Sequence, residues 1–157
     1  MKKFLVLGLA MLVMAGCSDD LGMSVPPKKD ASLCEIYKMN GWQGIVVQTN
    51  TGSQKGLLLS IEETGGTWAE ANAWAASLGG SWRLPTVEEL QAIYNIIDDL
   101  NESLSKSGKK VVKSDFYWTS DEYRYDDSKA WRVYMGYGGS SNYNKLEKHY
   151  VRAVAGF

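Results

Sequence analysis

Two stretches in the last third of the chain gather side chains suited to recognition: Glu122-Tyr123-Arg124-Tyr125-Asp126-Asp127 and Tyr137-Gly138-Gly139-Ser140-Ser141-Asn142-Tyr143-Asn144. Tyrosine gives rigid amphipathic contact area with little rotamer entropy lost, and Arg, Asp, Asn and Ser beside it supply adaptable hydrogen bonds. Such a mixture suits a sugar, whose apolar face stacks while its hydroxyls need partners, or a protein groove. The candidate ligand-binding residues are therefore Tyr123, Arg124, Tyr125, Asp126, Asp127, Tyr137, Asn142, Tyr143 and Asn144. A second possibility stays open for the later stretch, in which Tyr137 and Tyr143 pair across a hairpin and merely cover a sheet. Tyr123 and Tyr125 stand in a charged loop, which is poor material for a core.

Other chemistry is thinly represented. Asp121, Glu122, Asp126 and Asp127 offer oxygen ligands to Ca²⁺, or are ordinary solvated loop charges. The single histidine, His149, excludes a multi-histidine metal site, and 2 cysteines cannot build a zinc site without other ligands. A hydrolase using Asp126 or Glu122 with His149 needs carboxylates set face to face with one pKa raised, and the spacing does not set them so. No GxxxxGK[ST], GxGxxG or HExxH string occurs. With 17 Lys+Arg against 18 Asp+Glu, the 157-residue chain has no basic field for a polyphosphate backbone. The expectation is one small domain that binds rather than reacts, without cofactor, metal or nucleic acid.

Residues 1–16 combine Lys2 and Lys3, an apolar run from Phe4 to Met14, and the small pair Ala15-Gly16 directly before Cys17. That is the pattern of a cleaved export signal, and the run is shorter than the ~20 residues a membrane span takes. Met14-Ala15-Gly16-Cys17 resembles a bacterial lipobox, which implies a signal peptide over 1–16 and lipidation of Cys17. A multiply acylated N-terminus holds a protein at its bilayer. Ser18-Asp19-Asp20 resembles the acidic signal that sends some lipoproteins to the outer surface, or is plain linker charge. The expected address is the bacterial outer membrane or cell surface, with the membrane as a partner through the lipid. Residues 17–32, with Pro26-Pro27 and Lys28-Lys29, read as a flexible tether, and 33–157 as the domain. Cys34 is then a lone thiol, either buried beside Leu33 and Ile36 or open to an intermolecular bridge.

The elements that must position the tyrosines follow from patterning. Gly44–Thr49 and Gly56–Ile61 are β-rich runs joined by a polar turn over 50–55, a hairpin. Thr67 with Glu70 forms a capping box for a helix presenting Trp68, Ala71, Ala75 and Leu78, with Trp74 near the edge, and ending at Gly79-Gly80. Thr86 with Glu89 caps a second, whose Leu90, Ile93, Tyr94 and Ile97 recur at helical spacing, to about Leu104. Ser105–Lys110 reads as a loop. Short aromatic and β-branched runs follow at 117–120, 130–135 and 150–154, so the class is α+β, with two helices packed on short antiparallel strands.

These residues include Ser81-Trp82-Arg83-Leu84-Pro85-Thr86-Val87-Glu88-Glu89-Leu90, then Tyr117-Trp118-Thr119-Ser120, then Tyr150-Val151-Arg152-Ala153-Val154. In that order and spacing they resemble the domain at the C-terminus of the bacterial collagen-like adhesin Lcl, from about Gly41 to Val154. The resemblance implies a C-type lectin-like fold with a long excursion between the late strands carrying any binding surface. It also implies a kinship with formylglycine-generating enzymes, whose oxidative chemistry needs cysteines that the region lacks apart from Cys34. No EPN, QPD or WND string exists for a lectin-type calcium site. Trp82, Trp118 and Trp131 read as core or near-core. Arg83 reads as a staple to loop carbonyls or to Glu88 and Glu89, and Arg152 as paired or solvated. With one thiol left after lipidation no internal disulfide forms, so the tryptophans must supply the core. The functional expectation is a surface-anchored lipoprotein module that recognises glycan or protein ligands. The alternative is an accessory subunit of a fimbria-like surface assembly.

Overall fold

The computed structural model describes residues 31–39 and 41–157; the expected signal peptide, Cys17 and most of the expected tether lie outside them. The order is β1 (Ile36–Met39), β2 (Trp42–Gln48), β3 (Leu57–Ser60), β4 (Thr64–Gly66), α1 (Trp68–Ser77), α2 (Val87–Tyr94), α3 (Ile97–Lys106), β5 (Phe116–Glu122), β6 (Lys129–Tyr134), β7 (Gly139–Asn144), β8 (His149–Val151) and β9 (Val154–Gly156). The strands form two sheets, ordered β1-β2-β3-β9 and β4-β8-β5-β6-β7. All pairings are antiparallel except β5 with β8, which meet in parallel at Tyr117 and Tyr150. The α+β class holds.

Apolar residues run without alternation through Ile45-Val46-Val47 and Leu57-Leu58-Leu59 because the first sheet is covered on both faces. Val46 and Leu58, paired in register, join Ala71, Ala75, Leu78 and Trp118 on the α1 side. Ile45 and Leu59, also paired, join Leu90, Ile93, Leu100 and Leu104 of α2 and α3 on the other. Ala31 is already buried in the first of these clusters. Both capping boxes form: the Thr67 and Thr86 hydroxyls accept from the Glu70 and Glu89 amides, and each carboxylate reaches back to its cap. Gly79 and Gly80 take positive φ (76° and 58°) just beyond α1, a conformation glycine adopts at little cost.

Three of the expectations need correction. The expected second helix is two. Asn95 closes α2, Ile96 leaves the helical region (φ −116°, ψ 18°), and α3 restarts and runs to Lys106 through part of the expected loop. The break lets Ile96 and Ile97 pack on the same cluster as Leu90 and Leu100. The expected strand over 150–154 is also two: β8 belongs to the second sheet and β9 to the first, and the chain crosses between them at Arg152-Ala153. The crossing is pinned by charge. Buried Arg152 donates to the carbonyls of Ser60 (3.1 Å) and Lys110 (2.7 Å) and pairs with Glu63, so the residue is paired rather than solvated.

The third correction concerns the late region. The Tyr137–Asn144 stretch is mostly strand β7, in unbroken register with β6 from Lys129–Asn144 to Tyr134–Gly139. Short turns at 123–128, 135–138 and 145–148 join the strands, and no long excursion occurs between the late strands.

Candidate functional site

Strand β6 divides the nine candidate residues. Side chains alternate across a strand, so Trp131 and Arg132 leave β6 on opposite faces. On the α2 face, Tyr123 meets Trp131 edge-on (5.7 Å between ring centroids) and Tyr125 meets Tyr123 (5.6 Å). The Arg124 guanidinium lies over the Tyr125 ring at 4.3 Å. This ladder borders a shallow hollow of about 230 Å³ lined by Val87, Glu88, Asp121, Trp131 and Ser140. Asn142, the register partner of Trp131, belongs to the same face.

The acidic candidates hold the turn together. Asp126 accepts from the Ser128 amide (3.0 Å) and hydroxyl (2.6 Å) and pairs with Lys129 (3.2 Å), bonds that lower its pKa, those from Ser128 foremost. The Asp127 carbonyl accepts from Lys145, which also pairs with Glu122. Asp121 accepts from the Val87 amide at the start of α2 (2.7 Å). Asn144 accepts from the Leu146 amide in the next turn. Among the described residues no three His, Cys, Asp or Glu side chains gather as metal ligands. Arg83 forms the expected staple, with two 2.7 Å bonds to Glu89 and one of 3.0 Å to the Leu84 carbonyl.

On the opposite face the β6 arginine is clamped. The Arg132 guanidinium lies 3.8 Å from the Phe116 ring centroid and 3.7 Å from that of Tyr143. Its Nε donates to the Ser141 hydroxyl (3.3 Å) and Nη1 meets His149 Nε2 at 2.9 Å. A guanidinium only donates, so Nε2 is the acceptor and the imidazole proton sits on Nδ1. Burial first, and the Arg132 charge second, push the His149 pKa down to about 4. The ring is therefore neutral at pH 7. His149 also stacks edge-on against Trp118 (4.7 Å) and Tyr143 (5.5 Å). Phe116 continues to Tyr134 (4.8 Å) and Tyr134 to the exposed Tyr137 (5.0 Å). Tyr137 and Tyr143 thus lie against different partners, Tyr134 and Arg132. Among the described residues no carboxylate ion-pairs with Arg132. Beside His149 opens a hollow of about 380 Å³ bordered also by Gly65, Asp115, Lys148 and Tyr150.

Residues 39–155 match the family described as the Lcl C-terminal domain. The chain belongs to the Lcl C-terminal domain family. It thereby carries a domain of surface adhesin-like proteins. A comparison with curated proteins finds no match.

Within this Lcl C-terminal domain, the sequence pointed to Tyr143 and Tyr137, weighed His149 only as a metal ligand or a hydrolase partner, and missed Arg132, Phe116 and Tyr134. The missed signal was the alternation Phe116-x-Trp118 and Arg132-x-Tyr134, which sets four large side chains on one face once β5 and β6 pair. Cys34, half-buried at φ 61°, has its thiol pKa raised by burial and then by Asp99. Among the described residues no helix is long and apolar enough to cross a membrane.

Proposed function

We propose that the domain is the recognition module of a lipid-anchored bacterial surface protein, binding glycan or protein ligands without catalysing a reaction. One observation carries the reading: Arg132, held over the rings of Phe116 and Tyr143 with no carboxylate at ion-pairing distance among the described residues, contacts His149, which borders an open hollow with Asp115 and Lys148. Guanidinium stacked on aromatic rings keeps its charge and is oriented in advance, so little rotamer entropy is lost on binding. Tyr134, Tyr137 and Tyr143 add amphipathic area for a sugar face or an apolar side chain, and Arg132 favours ligands that carry an acidic group. The Tyr123–Tyr125–Trp131 ladder provides a second contact surface on the α2 face.

The fold is read as a compact C-type lectin-like variant on the strength of the motif resemblance, and the anchor as a lipid on Cys17. Glycan arrays and extracellular-matrix panels test the function. Binding should fall at least about tenfold in Arg132→Gln and Tyr143→Ala, the loss of about 1.4 kcal/mol, while Leu33→Ser is without effect. No signal for the wild type, or a signal indifferent to both substitutions, overturns the proposal. Incorporation of labelled palmitate, abolished by Cys17→Ser, tests the anchor separately.

A further inference from the structure

Strand β7 ends the second sheet with one side unpaired among the described residues. Edge strands are ordinarily guarded by Lys, Pro, a bulge or short length. The other edges follow this: β1 carries Lys38, and β4 and β9 span three residues each. β7 does not. Gly-Ser-Ser-Asn-Tyr-Asn has no charge and no proline, and its six residues keep continuous register with β6.

The outward groups can be assigned. The Lys145 amide donates to Ser128 on the β6 side (2.9 Å). By the alternation of an antiparallel ladder, Tyr143 and Ser141 also bond inward, and Ser140 and Asn142 direct their backbone groups outward; Asn144 directs its amide outward, while its carbonyl accepts from the Glu147 amide (3.1 Å). Exposed apolar side chains flank the same edge: Tyr137 (67% exposed) in the turn before β7, Tyr143 (41%) on it, and Leu146 (80%) in the turn after.

We infer that β7 is an association edge whose partner is β7 of a second copy of this chain, paired antiparallel about a two-fold axis at Asn142. The strand is its own complement. Asn142 exchanges both backbone bonds with Asn142 of the other copy, and on either side the Asn144 amide donates to the Ser140 carbonyl. The turn bearing Leu146 falls opposite the turn bearing Tyr137, so exposed apolar area meets exposed apolar area at both ends. No like charges oppose one another, because the paired residues carry none. A two-fold axis perpendicular to the sheet leaves both Arg132 faces on the same side of one continuous ten-stranded sheet. The dimer thus presents two recognition faces in parallel, which raises avidity for a repeating ligand.

Sedimentation of the full chain in detergent micelles, with hydrogen exchange read at single amides, tests the inference. The wild type should dimerise, and exchange at Asn142 and Asn144 should slow as concentration rises. Asn142→Pro removes an outward N–H and no bond to β6, and Asn142→Lys sets like charges across the axis. Each should raise the dissociation constant at least about tenfold, with the unfolding midpoint of the monomer kept in Asn142→Lys. A monomer at every concentration, a dimer indifferent to both substitutions, or exchange at these amides independent of concentration overturns it. None of these readouts depends on ligand binding.

Discussion

Arg152 and Glu63 meet at 3.3 Å with 1% and 4% of their side chains exposed, one charge pair beneath the crossing from β8 to β9. Glu63 also accepts from the Tyr117 hydroxyl (2.6 Å) and pairs with Lys113 (3.2 Å). Removing one partner strands a buried charge, so Glu63→Gln should cost about 3–5 kcal/mol. The double variant Glu63→Gln/Arg152→Met should cost less than the sum of the two single changes. Urea unfolding of the four proteins measures the coupling, and strict additivity would show that the pair acts as two independent groups.

His149 sets a pH dependence. Its folded pKa, about 4, lies below the ordinary 6.5 because burial and Arg132 disfavour the charged ring. The unfolded chain therefore binds more protons between these values, and stability falls as pH drops from about 6.5 to 4. The ring is only partly buried, so solvent screening leaves about 1 kcal/mol of this effect. His149→Gln should flatten that part of the profile relative to wild type in unfolding midpoints taken at pH 4.5, 5.5 and 7.

Gly138 holds the β6–β7 turn against α2. Its φ is +73°, a Cβ there would stand 2.5 Å from the Tyr94 ring, and its carbonyl accepts from Gln91 (3.1 Å). Gly138→Ala suffers on both counts and should cost more than about 1 kcal/mol. Calorimetry reads the loss. A Tyr94→Ala background relieves only the steric part, which separates crowding from backbone strain.

The Thr86 cap predicts a smaller effect. Its hydroxyl accepts from the Glu89 amide (3.2 Å), while Glu89 is held by Arg83. Thr86→Ala should cost about 1 kcal/mol, and Thr86→Ser a few tenths. Equal stability of the Ala and Ser variants in thermal unfolding would remove the cap from the account of this helix.

Local signals were legible in the sequence. Thr67 with Glu70 and Thr86 with Glu89 mark two helix starts, because a capping box is written within four residues. The β2–β3 hairpin shows through its apolar runs, and Arg83 through its closeness to Glu89. What the sequence hid depends on distant pairing. β7 is too polar to show strand alternation, and only its ladder with β6 makes it a strand. The division of the tyrosines between two faces needs the register of Trp131 and Arg132. The role of Arg132 needs Phe116 and Tyr143, brought beside it from two other strands. The break at Ile96 has no Gly or Pro to announce it; packing of Ile96 and Ile97 decides it.

The crossing at Arg152 carries a consequence for biogenesis. Leu57, Leu58 and Leu59 of β3 find their partners in Gly156, Ala155 and Val154 of β9, so β3 waits for a strand made long after it. Pairing over such a separation is slow, and the open side of β3 stays exposed meanwhile. A chain emerging N-terminus first therefore cannot complete its first sheet piecemeal. The first sheet closes only once β9 has reached β3, so the domain gains its fold in one late step rather than strand by strand.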